Sequence, residues 1–169
     1  MSESAMDNLA YVLFTGVGAT AVMDLWSLVR RRLLDAPLPN YALVGRWIAH
    51  LARGRVHHDS IAAASPARGE RAIGWTAHYL IGIVFASLLP AVWGVAWFRS
   101  PSLVPALLVG IVTVLAPFLV MQPAMGAGFA ASRTPRPGAA RLHSLLTHTI
   151  FGLGLYAAAL VIAQLSSGD

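Results

Sequence analysis

The chain has 169 residues, of which 57% are hydrophobic and only 11% charged, with a mean hydropathy of +0.66. Water-soluble domains carry about a quarter charged residues, so a purely aqueous fold is excluded. The absence of cysteine removes disulfides, thiolate zinc sites and thiolate-held iron–sulfur clusters, leaving His, carboxylate or thioether groups for any metal.

The formal charge of +5 and the pI of about 10.7 come from arginines grouped in two segments, Arg30 to Arg71 and Arg133 to Arg141, with Arg99 alone elsewhere. That grouping follows the positive-inside rule, so the basicity is topological. Lipid head groups, and not nucleic acid, are the expected contact.

Four apolar runs, residues 9–29, 72–98, 103–125 and 142–165, each reach the roughly 20 helical residues that a bilayer crossing takes. None has the polar alternation of a membrane β-barrel strand. The expected fold is therefore one all-α integral membrane domain over residues 1–169. It is a transmembrane four-helix bundle with an additional amphipathic interfacial helix in the first cytoplasmic loop. Both arginine-rich connections are expected in the cytoplasm and both termini outside. The first run is expected to stay in the membrane, because Glu3 and Asp7 precede it where a cleavable leader needs basic residues.

In the first run Gly16, Thr20, Asp24 and Ser27 recur at helical spacing and form one small, polar stripe turned toward protein. Trp26, near the arginines, suits an interfacial position. After Pro37 and Pro39, Asn40 can cap a helix over residues 41–53, with Val44, Trp47, Ile48 and Leu51 opposite Arg46, His50 and Arg53 and Gly54 as its stop. Such a helix either lies among head groups or packs over the span ends.

The second run places Gly74, His78, Gly82 and Ala86 in a groove that predicts a closely apposed neighbour, with Pro90 as a kink and Trp93 and Trp97 at the outer interface. In the third, Pro117 and Pro123 predict a bent or unwound inner end. The fourth aligns Ser144, His148, Gly152 and Tyr156. His78 and His148 each lie seven residues past an arginine and four before a glycine, so the halves read as a parallel repeat, in which Met121-Gln122 matches Met23-Asp24 loosely.

At 1.5 Å rise per residue, Asp24, His78 and His148 all lie roughly 9 to 10 Å beyond a flanking arginine, in one layer. Ionisable residues inside a membrane commonly mark metal, proton or solute sites. Three readings stand. Asp24, His78 and His148 hold a divalent transition metal, or the two imidazoles a b-type haem; the same groups line a proton or solute path in a small transporter or proton-coupled channel; or they tie helices together through Thr20 and Ser144. Gln122, Met121, Thr20, Ser144 and His143 are the expected supporting residues. His50, His57, His58 and Asp59 form a second candidate metal cluster in the first loop.

No nucleophile elbow, zincin or nucleotide-binding loop is present, so an enzyme is not the favoured reading. A non-catalytic subunit of a larger membrane complex, or a homo-oligomer, would use the small-residue grooves as its contact.

Met23-Asp24-Leu25-Trp26, Pro39-Asn40-Tyr41, Gly45-Arg46-Trp47, Gly74-Trp75 with His78-Tyr79, Pro117-Phe118 with Met121-Gln122-Pro123-Ala124, and His148 with Phe151-Gly152 run over nearly the whole chain. In these the chain resembles the bacterial domain-of-unknown-function family 2938. The resemblance implies a multi-pass protein of the bacterial inner membrane and carries no activity with it.

Overall fold

The computed structural model describes residues 3–166, with side-chain surroundings for residues 6–165. The chain ends, expected to face outward, fall partly outside the described residues. Seven α-helices follow in order: α1 (Glu3–Leu34), α2 (Tyr41–Leu51), α3 (Glu70–Ala86), α4 (Leu88–Trp93), α5 (Leu103–Val112), α6 (Gln122–Ala124) and α7 (Pro137–Ser166). No strand occurs among the described residues. Four stretches are apolar and long enough to cross a membrane: Met6–Leu34, Glu70–Trp93, Leu103–Ala124 and Pro137–Leu165.

The first and last spans run longer than their apolar segments. α1 continues through Arg30, Arg31 and Arg32, because arginine is a good helix former and its charge ends the membrane segment without ending the helix. α7 opens at Pro137, where the missing N–H costs nothing because a first-turn donor has no intrahelical partner. The two middle spans are broken, and in both a proline accounts for it. Pro90 cannot donate to the carbonyl of Ala86, and the helix divides at Ser87 into α3 and α4. Pro117 cannot donate to Thr113, and the third span turns at Thr113 and Val114 and then runs over Pro117–Met121 as a wider, π-type coil.

One expectation fails at the outer end. The second span stops at Trp93, where Gly94 takes φ 79°, and a short 3-10 turn over Val95–Phe98 folds back. It carries Trp97 and Phe98 into the core, with Phe98 against Tyr11, so Trp97 is a core residue and not an interfacial one. Trp26 is half-buried, and its shielded indole nitrogen has no partner among the described residues.

α1 is central, packing on α7 and α3, while α5 packs on α7 and α2 on α3. Backbones approach at the glycines. Gly82 lies against Thr20 of α1, Gly110 of α5 meets Gly152 of α7, and Gly154 abuts Ala19. In an apolar solvent burial of carbon gives little net drive, so close backbone packing of this kind holds helices together. The tight neighbour predicted for the Gly74, Gly82 and Ala86 groove is thus α1 for its inner part and α2 at its end, where Gly74 meets the Tyr41 carbonyl and Gly45 the Glu70 carbonyl.

That double glycine contact fixes α2 across the start of α3. Its Asn40 side chain makes no cap; instead the Arg46 guanidinium donates to both oxygens of Glu70, at 2.8 and 2.9 Å, and to the carbonyls of Ile61, Ala62 and Ala64. One arginine therefore gathers the long loop. Gly54, at φ +80°, turns the chain out of α2 where a side chain would be strained.

Candidate functional site

α3 and the Pro117–Met121 stretch of the third span scarcely touch. The gap between the second and third spans is a cavity of about 540 Å³, within the range of small-molecule sites. Its walls come from every part of the bundle: Thr20 and Met23 of α1, His78 to Phe85 of α3, Ala116 to Gln122 of the bent span, and His143 to Phe151 of α7. α2 closes one end with Tyr41, Val44 and Trp47. Two of the lining residues, Val84 at 61% on the second span and Val120 at 58% on the third, are exposed.

His78 and His148 both line this cavity, together with Thr20, Met121, Gln122, His143 and Ser144. Seven of the expected residues are thus gathered in one place. Asp24, the eighth, stands behind His78 and outside the lining. Its carboxylate accepts three hydrogen bonds, from His78 Nε2 at 3.0 Å, the Tyr79 hydroxyl at 3.0 Å and the Tyr41 hydroxyl at 3.2 Å. The Tyr41 ring stacks on His78 with centroids 4.1 Å apart. Burial first, then the charge of Asp24, pushes the Tyr41 pKa far upward, so its phenol remains protonated and donates.

His148 does not join them. Its Nδ1 lies 3.2 Å from the Gly110 carbonyl and 3.2 Å from Thr113 Oγ1, which itself donates to Gly110 at 2.7 Å. A carbonyl only accepts, so Nδ1 carries the proton. The expected metal set of Asp24, His78 and His148 is therefore not assembled: Nε2 of His78 is taken by Asp24, and His148 turns to α5. Among the described residues no group of three or more His, Asp or Glu side chains is placed to hold a metal ion. The haem arrangement meets the same obstacle, because the His78 nitrogen that would reach iron already faces a carboxylate.

The loop cluster separates in the same way. His50 and His58 meet, Nδ1 to Nε2, at 2.9 Å with rings stacked, and both are buried. His57 and Asp59 point outward. His58 N–H bonds the Ala124 carbonyl and Ile61 N–H the Met125 carbonyl, so the loop is pinned to the end of the third span. Burial, with Arg55 and His50 nearby, holds the His58 imidazole below its ordinary value.

Several functional neighbours escaped the sequence reading. Tyr79 follows His78 and so points about 100° around the helix, which a spacing argument assigns to another face; its long phenol nevertheless reaches the same carboxylate. Tyr41 arrives from α2, and Arg30 bonds His143 at 2.6 Å across 113 residues of sequence. Only charge complementarity could have flagged Arg46 with Glu70, one of few acids in that loop.

No curated protein and no solved structure matches the chain. A family profile described as "Protein of unknown function (DUF2938)" matches residues 13–162. That stretch contains the cavity walls, the Asp24 cluster and the pinned loop alike, and the chain belongs to the DUF2938 family.

Proposed function

We propose that this protein binds a lipid-soluble small molecule inside the membrane, taking it up sideways from the bilayer between its second and third spans. The observation that carries the reading is the cavity of about 540 Å³, apolar over nearly all its wall, whose few polar groups come from all four spans. An apolar chamber with convergent polar groups is the usual form of a ligand site. The exposed rim residues Val84 and Val120 give such a ligand a route that never crosses water.

By the positive-inside rule the end closed by α2 and the arginine-rich loops is cytoplasmic in this proposal, and the membrane is the bacterial inner membrane. α2 then forms the cytoplasmic floor of the chamber. Arg53, in the turn just past α2 and exposed, lies next to anionic head groups.

The test uses an alkyl diazirine of hexadecane length, photolysed in proteoliposomes containing the full chain. Labelling is expected to concentrate on residues facing the cavity, such as Phe85 and Met121, and to vanish there in Ala116→Trp, which fills the chamber. Labelling spread evenly over the lipid-facing surface and unchanged by that substitution overturns the reading.

A second reading rests on the Asp24 cluster, a titratable group one side chain behind the cavity: movement of a proton or small solute through the same residues. Proteoliposome proton flux above the empty-vesicle rate, abolished by Asp24→Asn, is its signature. Flux equal to empty vesicles removes it.

A further inference from the structure

Resting on that reading, we infer that the ligand is an uncharged amphiphile with a hydroxyl head of the phenol or alcohol class, held as a hydrogen-bond donor to His148 Nε2. The inference comes from counting which polar atoms of the cavity already have protein partners. His148 spends its Nδ1 proton on the Gly110 carbonyl and Thr113. Its Nε2 is then the lone-pair nitrogen of the neutral ring and has no partner among the described residues. Gln122 Oε1 also lacks a partner among the described residues, but it is shielded from the chamber. A free acceptor on an apolar chamber calls for a ligand that brings an O–H.

Other head groups fit less well. No arginine or lysine lines the cavity, so a carboxylate or phosphate would enter an apolar space with no countercharge. The nearest candidate, Arg30, is held at 2.6 Å by His143 Nε2. Because a guanidinium only donates, that nitrogen must accept, and the arginine is directed at the imidazole. A cation fares no better, since Asp24 already takes three hydrogen bonds outside the lining. A plain hydrocarbon would fill the chamber but leave that acceptor bare.

The experiment compares nonylphenol, its methyl ether and decanoate as ligands of the full chain in lipid nanodiscs, by equilibrium titration. Nonylphenol is expected to bind about tenfold more tightly than the ether, the difference one well-made hydrogen bond in an apolar site gives. Decanoate is expected to bind more weakly than either. His148→Phe, close in volume to the residue it replaces, is expected to cut the phenol's advantage to about threefold or less, with the ether's own affinity kept. Equal affinities of phenol and ether, a preference for decanoate, or an advantage untouched by that substitution overturns the hydroxyl assignment while leaving the cavity reading in place. Failure of all three compounds to bind overturns both.

Discussion

The two histidine hairpins of this protein are built alike and equipped differently. In the first, His78 reaches across to the preceding span and Gly82, four residues on, packs against Thr20 of that span. In the second, His148 reaches back to Thr113 and Gly110 of its preceding span, and Gly152 packs against Gly110. The scaffold repeats, but the partner does not. His78 meets a carboxylate that also gathers two tyrosines, whereas His148 meets a hydroxyl and a carbonyl. The difference teaches that one histidine is bound up in a charged network while the other keeps a ring nitrogen for the chamber between them.

The largest expected effect comes from breaking what the hairpins share. Gly82→Leu pushes a side chain into Thr20 of α1 and Gly152→Leu into the backbone of α5, and each is expected to cost about 3 kcal/mol, the upper end for overpacking. Thermal unfolding in detergent reads it; a hairpin that tolerates the leucine has no close crossing.

Next come the partners that differ. Asp24→Ala strands three donors from Tyr41, Tyr79 and His78, with an expected loss of about 2 kcal/mol. Thr113→Val removes one neutral contact and is expected to cost about 0.6 kcal/mol, the mean for a hydrogen bond between membrane helices. Equal losses in the two variants would erase the distinction between the hairpins. Within the first hairpin, Tyr79→Phe is expected near the smaller figure, because Asp24 keeps two donors.

A third region, the pinned loop, supplies the pH dependence. The His58 imidazole titrates below its ordinary value when folded, so at a pH just under about 6.5 the unfolded chain binds a proton that the folded chain refuses. Stability is therefore expected to fall as pH drops from 6.5 toward the folded value, and to level off beneath it. His58→Asn, which cannot titrate, flattens that part of the profile. A slope unchanged by the substitution places the acid sensitivity elsewhere.

Much of the architecture was legible because it follows from single-residue chemistry. Four apolar runs mark four spans, Pro90 and Pro117 mark the breaks, and glycine at four-residue spacing marks the close crossings. The shared depth of Asp24 and His78 was also readable, since rise per residue alone fixes it. The direction of His148 was not. Depth says nothing about rotation around the helix axis, and the turn of the third span at Thr113 brings the Gly110 carbonyl to Nδ1, a backbone acceptor that no side-chain pattern advertises. The cavity was likewise hidden, because it exists where α3 and the Pro117–Met121 stretch fail to meet, and a sequence records residues, not gaps. The fold-back of Trp97 turns on Gly94 at positive φ, which an apolar run of that length masks.

The most direct test locates a heavy atom. Crystals of the full chain grown in lipid with a terminally brominated alkylphenol are expected to give an anomalous bromine peak within the chamber bounded by Val84, Val120 and His148, and to lose it in Ala116→Trp. Bromine found only on the outer surface of the spans, with the chamber closed to it in the unsubstituted protein, would contradict the account.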